Sequence, residues 1–356
     1  ITTSCEKLDK INYLYDVFEF QPVTEAQVFK ELNTINEFKA EGIDKISPRL
    51  VKDSAAYICS PLTYIINLSI NTQTFPSQLK SAKVLPIFKN KGEKHSINNY
   101  RPISILPVFS KIFERILNLQ IQTHLNLQKV ISATQFGFQQ NKGTHNALIN
   151  FANNAFSALN SSQVILGIFI DFAKAFDTID HDILIHKLKA LKFSNSSTDL
   201  LKNYLSNRTQ SVVIGNEVSQ PRRVKCGVPQ GSILGPTLFL IYINDLIHYS
   251  NTFNTILFAD DTTLFFQSKD LGFEKESVLV VDIHGNEALE KKLTFQQKIQ
   301  QLPFVQQASP HKLTCNSTIS QASQEESIST PTCMVKPEVR NHPDDPANPL
   351  SAAFSE

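Results

Sequence analysis

Apolar residues recur at helical spacing over 24–40, with Val28, Leu32, Ile35 and Phe38 on one side, and Thr24 stands where a first helical turn needs a cap. An amphipathic helix is expected there. Turn residues between Glu41 and Pro48 end it, and two more helical segments are expected over 50–52 and 57–71, the second bounded by Pro61 and Pro76. Residues 82–89 read as a strand, 107–122 as a helix with Ile112, Ile116 and Leu119 on one face, and 135–141 as a loop leading into a helix over 144–159. Further on, 181–193 has Ile183, Leu184, Leu188 and Leu191 as the buried face of a helix, for which Asp177 and Asp180 are natural caps. A β-hairpin is expected around Gly215-Asn216. It precedes a helix that has Pro236 in its first turn and runs through Leu238, Phe239, Tyr242, Leu246 and Ile247 to about residue 249.

Two stretches carry acids in unusual company. The run from Val164 to Ile170 is apolar without interruption and stops at Asp171, which reads as a buried strand with a carboxylate at its mouth. In 257–266 two β-prone apolar runs flank Asp260-Asp261, and a break of about two residues between them predicts a tight hairpin presenting both acids. Adjacent aspartates also describe an ordinary exposed turn. If the strand lies beside the hairpin, Asp171, Asp260 and Asp261 form a set of hard oxygen donors suited to Mg²⁺ or Mn²⁺ and not to Zn²⁺. Carboxylates that bridge two such ions make the clamp used for phosphoryl and nucleotidyl transfer.

Two other patterns bear on that chemistry. Residues 78–125 hold Lys80, Lys83, Lys89, Lys91, Lys94, Arg101, Lys111 and Arg115 against only Glu93 and Glu114, a local excess that would attract polyphosphate or a nucleic-acid backbone, or simply form a solvated face. Gly227 and Gly231 bracket Val228-Pro229-Gln230, so the backbone can approach a ligand closely, and the helix beyond is expected to offer free N–H groups.

Taken in order, Phe169-Ile170-Asp171-Phe172-Ala173-Lys174-Ala175-Phe176-Asp177, Gly227-Val228-Pro229-Gln230-Gly231-Ser232 and Phe258-Ala259-Asp260-Asp261 resemble three polymerase-palm motifs of the reverse transcriptases of non-LTR (LINE-type) retrotransposons. Asn98-Asn99-Tyr100-Arg101-Pro102-Ile103-Ser104 and Gln135-Phe136-Gly137-Phe138 resemble the same family, so that the similarity spans about residues 10–270. The resemblance implies an α+β right-hand polymerase with an antiparallel palm sheet and packed helices: a helical N-terminal layer at 1–77, fingers at 78–163 and a palm with the catalytic site at 164–270. It implies RNA-directed DNA synthesis on a primer, with an RNA template, a DNA primer and deoxynucleoside triphosphates as partners and two Mg²⁺ ions, or Mn²⁺, as cofactors. By the same resemblance Asp171, Asp260 and Asp261 are the catalytic metal ligands. Arg101 contacts the incoming triphosphate, with Lys89 and Lys91 as weaker candidates. Phe176 lies beneath the sugar and selects against a 2′-hydroxyl, Gln230 touches the nucleotide, and Gly231 leaves room for the template base. His145, which no nucleophile accompanies, is structural or at most a template contact.

Composition adjusts this picture at the edges. A balance of 34 basic against 33 acidic residues does not itself announce a nucleic-acid partner. Five scattered cysteines fit free thiols in a reducing compartment, and with no signal peptide or membrane-length apolar run the expectation is an intracellular protein of nucleus or cytoplasm. The chain opens on Ile1, which reads as a fragment. Residues 271–308 match no motif of the family, though a strand over 277–283 and a polar helix over 286–301 are conceivable, and no thumb is recognisable. Residues 309–356, with six prolines and few large apolar groups, read as a disordered tail. Two other function classes remain open on these grounds: a catalytically inactive, retrotransposon-derived nucleic-acid-binding relic, and a different palm-type two-metal enzyme such as a nucleotidyl cyclase.

Overall fold

The computed structural model describes residues 15–172, 174–248 and 253–269, together with the backbone of Phe295–Gln296. All of these fall in the first of the chain's two compact units, residues 1–301. The strand expected over 277–283 and the tail at 309–356 lie outside the described residues. The polar helix expected over 286–301 fails where it can be checked, because Phe295–Gln296 form a short strand.

Three helices come first: α1 (Glu25–Asn33), α2 (Pro48–Asp53) and α3 (Ala55–Thr72). Thr24 caps α1 as expected, its hydroxyl accepting from the Gln27 N–H while the Gln27 side chain accepts from the Thr24 N–H. The helix stops at Asn33, short of residue 40. The Asn36 side chain accepts from the Phe38 N–H, a local bond that competes with continuing the helix, and Phe38 ends up exposed. Pro61 lies inside α3 and does not bound it. The N–H it lacks would have met the carbonyl of Tyr57, whose side chain is 86% exposed, so water can take that acceptor.

The remaining elements form two sheets and the helices packed on them. Strand β1 (Ser81–Phe88) pairs antiparallel with β2 (Tyr100–Ile105), and after α4 (Val108–Leu127), α5 (Thr144–Asn160) and β3 (Val164–Phe172) come α6 (His181–Ala190) and α7 (Asn195–Leu205). Strand β4 (Thr209–Ile214) then pairs parallel with β1, and β5 (Glu217–Val218) and β6 (Arg222–Arg223) fold back on β4. The turn at Gly215, where φ is +59°, is the hairpin expected from the sequence. Helix α8 (Leu234–Ile243) leads through a 3₁₀ turn to β7 (Asn254–Phe258) and β8 (Asp261–Ser268), and the second sheet runs β7-β8-β3-β9, with β9 at Phe295–Gln296. Strand β3 is half-buried along most of its length, not fully buried as its apolar run suggested, since Phe169 reaches solvent.

Most of the apolar core is one cluster to which α1, α3, α4, α6, α7 and α8 contribute. Helix α8 is apolar nearly all round and accordingly sits inside, packed on α4 and α6. On α4 the inward face is Ile112, Phe113, Ile116, Leu117 and Ile121, while Leu119 points out; on α6, Ile185 takes the buried place expected of Ile183. A second, smaller cluster of Phe136, Ile256 and Phe265 lies against the β7–β8 hairpin, with Phe151 and Ile165 packed on it. The structure is thus a mixed α+β fold with helices packed on antiparallel and mixed sheets.

Candidate active site

The β7–β8 hairpin is as tight as the sequence suggested. Phe258 pairs with Asp261, which leaves Ala259 and Asp260 as the two turn residues. Ala259 has φ of +56°, in the left-handed region that costs a residue with a Cβ about 1 kcal/mol or more. Strand β3 runs antiparallel to β8 with Ile170 opposite Thr262, and one further step along that register brings Asp171 level with Asp261. The acid at the mouth of one strand and the acids at the tip of the hairpin therefore share one end of the sheet.

Their electrostatics agree with that placement. The Asp260 carboxyl is held above the usual carboxylate range, first by burial and then by repulsion from Asp261 and Asp171, while its own N–H and the Arg101 guanidinium pull the other way. Asp261 is raised in the same sense by burial and by Asp171. Arg101, exposed on β2 opposite Ile87, thus acts on Asp260 although it belongs to the other sheet. Among the described residues no three His, Cys, Asp or Glu side chains stand in the geometry of a formed metal site. The chemistry of the donor set nevertheless fits a hard divalent cation: three carboxylates at one sheet end, two of them, Asp260 and Asp261, disfavoured as anions by burial and by neighbouring carboxylates.

Phe176 and Gln230 stand on two segments that hydrogen-bond to each other. After Asp171 the chain enters a 3₁₀ turn, Ala175–Asp177, and the Phe176 ring stacks on Phe239 of α8 at 4.7 Å between centroids. The Phe176 carbonyl accepts from the Val228 N–H at 2.8 Å. Gln230 donates through its amide to Asp177 at 2.9 Å, and its carbonyl accepts from the Ser104 N–H, three residues along β2 from Arg101. Asp177 is therefore a partner of Gln230 and not a cap of α6; Asp180 alone fills that role, accepting from the N–H groups of Asp182 and Ile183. Gly231, at φ of +116°, approaches Ser104 so closely that a Cβ would lie 2.5 Å from its carbonyl oxygen. The neighbour it approaches is the backbone of strand β2.

Two expectations need correction. The N-terminus of α8 does not offer free N–H groups, because the fully buried Glu114 of α4 accepts from Ile233 at 2.7 Å and Leu234 at 3.3 Å, and Ser232 accepts from Gly235. The basic excess of 78–125 is partly absorbed by the fold: Lys80 is buried and donates to Asn203, and Arg115 pairs with Glu31. Lys89 and Lys91 follow the end of β1, where Lys89 donates to the Asn98 carbonyl at 3.0 Å.

A family model described as reverse transcriptase (RNA-dependent DNA polymerase) matches residues 89–302. The chain belongs to this family. That assignment removes the rival palm-type enzyme, and the match continues to residue 302, past residue 270 where the motifs ceased to be legible. Among curated relatives, the chain is 31% identical over 255 residues to the probable RNA-directed DNA polymerase from transposon BS of Drosophila melanogaster, covering 70% of this chain and 28% of the relative. It is 30% identical over 278 residues to the RNA-directed DNA polymerase from mobile element jockey of the same organism, covering 75% of this chain and 30% of the relative. A retrovirus-related Pol polyprotein from the type-1 retrotransposable element R2 of Popillia japonica is 25% identical over 158 residues, 44% of this chain and 22% of that protein. These relatives place the reverse transcriptase in the non-LTR (LINE-type) group, and it spans less than a third of their length. No helix among its described residues is long and apolar enough to cross a membrane.

Proposed function

We propose that this reverse transcriptase chain extends a DNA primer on an RNA template, the primer 3′-hydroxyl attacking the α-phosphate of a deoxynucleoside triphosphate and pyrophosphate leaving. The observation that carries this is the register between β3 and β8, which sets Asp171 at the level of Asp261 while Asp260 feels both. Asp171, Asp260 and Asp261 would hold two Mg²⁺ ions, or Mn²⁺. When bound, such ions lower the pKa of an attacking hydroxyl and neutralise a triphosphate.

The chain's own residues have the remaining tasks. Arg101, the cation that acts on Asp260 from β2, grips the triphosphate, for which a guanidinium supplies two parallel donors where Lys supplies a point charge. Phe176, backed by the stacked ring of Phe239, closes the space where a 2′-hydroxyl would sit. Gln230, oriented by Asp177, touches the nucleotide, and Gly231 keeps its place against β2 free of a side chain. In a right-hand description, residues 78–163 are the fingers and 164–270 the palm, behind a helical layer at 1–77. An inactive relic has no specific observation in its favour, since the chain retains all three carboxylates.

The test is primer extension on poly(rA)-oligo(dT) with Mg²⁺. Wild-type chain is expected to incorporate dTTP, and Asp260→Asn to abolish incorporation while keeping its far-UV circular dichroism. Synthesis retained by Asp260→Asn would remove the basis of the assignment.

A further inference from the structure

Gln135 is 1% exposed, and the hydrogen bonds of its side chain go to backbone groups at and beside the turn that carries the acids. Its Oε1 accepts from the Ala259 N–H at 2.9 Å and from the Gly137 N–H at 2.8 Å, while its Nε2 lies 3.5 Å from the Ala259 carbonyl oxygen. The backbone on either side of Gln135 is tied to the strand that enters the turn: the Phe136 N–H donates to the Leu257 carbonyl at 2.7 Å and the Leu257 N–H to the Thr134 carbonyl at 2.9 Å. The Gln135 carbonyl is itself held by Lys142 Nζ at 2.9 Å and Gln139 Nε2 at 2.7 Å. Behind it, Asn244, just past α8, accepts from the Ser132 N–H and donates to the Val130 carbonyl, so that the segment is anchored before it reaches the hairpin.

Two features show that this clamp acts on the conformation of the turn. Ala259 holds a left-handed φ in the first turn position, where glycine would be the unstrained choice, and a strained residue persists only where its surroundings over-determine it. Both backbone groups of Ala259 face the Gln135 amide. Gly137, whose N–H shares the Gln135 Oε1 acceptor, lies so close that a Cβ there would meet the Ala259 nitrogen at 2.2 Å.

We propose that Gln135 is a positioning residue for the carboxylates: by gripping both backbone groups of Ala259 it fixes the turn from which Asp260 and Asp261 project, and thereby sets their affinity for a divalent cation. It acts through the turn and does not touch the reacting atoms. The inference rests on the assignment of Asp171, Asp260 and Asp261 as metal ligands.

The test uses Mn²⁺ binding to the full chain followed by electron paramagnetic resonance, with no nucleic acid or nucleotide, alongside hydrogen exchange of the peptide spanning 257–262. Gln135→Met fills the same volume without the hydrogen bonds. It is expected to melt near the wild type, to lose exchange protection in that peptide, and to bind Mn²⁺ about 10- to 100-fold more weakly, the loss usual when a group supporting metal ligands is removed. Gln135→Glu keeps the two accepted bonds and is expected to keep the exchange protection. Wild-type Mn²⁺ affinity in Gln135→Met, with Asp260→Asn binding weakly, would overturn the positioning role and leave the metal site standing. Unchanged Mn²⁺ binding in Asp260→Asn would overturn the metal assignment and the inference with it. Should Gln135→Met not fold, Gly137→Ala strikes the same turn at the Ala259 nitrogen: weakened Mn²⁺ binding supports the proposal and wild-type binding refutes it.

Discussion

Asp260 shows how much a single residue can be worked on by its neighbours. Its carboxyl is pushed toward the protonated form by burial and then by Asp261 and Asp171. An acid whose pKa is raised in the folded state binds more protons there than when unfolded, so it lowers stability as pH rises from the ordinary carboxylate range to the raised value, and the full cost applies above both. Without added metal, Asp260→Asn should therefore be more stable than wild type near neutral pH, and the advantage should vanish below about pH 4. Denaturant melts at the two pH values decide this; an advantage independent of pH would mean that charge is not the cause. At Arg101 the expected effect is kinetic. Arg101→Lys should raise the KM for dTTP about tenfold with a smaller change in kcat, because the ammonium keeps the charge and loses the paired donors. An unaltered KM would take Arg101 out of the nucleotide site. Of the proposed contacts, the carboxylates, Phe176 and Gly231 were legible as motifs, but Gln135 carried no sign of its task beyond a Gln before Phe-Gly-Phe. What could have pointed to it is an amide directly before the apolar Phe136, a weak signal shared by many buried amides.

At the scale of elements, helix α8 is held at its start by a charge from another helix. Glu114 is fully buried, accepts from Ser110, Ile233 and Leu234, and has the buried Arg208 acting on it. Removing one member of a buried charged network leaves the other uncompensated, so Glu114→Ala should cost about 3–5 kcal/mol in denaturant unfolding. A cost under about 1 kcal/mol would show that water reaches the site and takes over those bonds. The β7–β8 turn allows the opposite experiment. Ala259→Gly relieves the left-handed strain and should leave stability unchanged or raise it by up to about 1 kcal/mol, despite the extra freedom glycine gives the unfolded chain. The early end of α1 belongs to this scale as well: apolar spacing ran on to Phe38, but the Asn36 side chain offered the backbone a better local bond.

Across the whole molecule, the basic residues of 78–125 do not form one patch. Lys80 and Arg115 are committed to Asn203 and Glu31, whereas Lys91 and Lys94 are exposed. Neutralising Lys91 and Lys94 to Gln should therefore reduce the slope of log affinity against log salt for a primer–template by about one for each phosphate that is no longer neutralised, and Lys80→Met should lower stability with little change in that slope. Equal slopes for the double variant and wild type would place the nucleic acid elsewhere.

The sequence by itself determined the local matters: where apolar spacing makes helices and strands, that two residues would turn β7 into β8, that glycine was needed at 215 and 231, and that acids would stand near the end of one strand and at one turn, though the turn falls on Ala259 and Asp260, and Asp261 already pairs in β8. These follow from side-chain period and backbone sterics within a few residues. Only the tertiary structure decided which strand would lie beside the acidic hairpin, that Glu114 would close the end of α8, that Asp177 would turn to Gln230, and that Gln135 would hold Ala259. Each of those depends on groups far apart in the chain and close in space, where burial makes a polar atom find a partner and no local pattern records which one it will be.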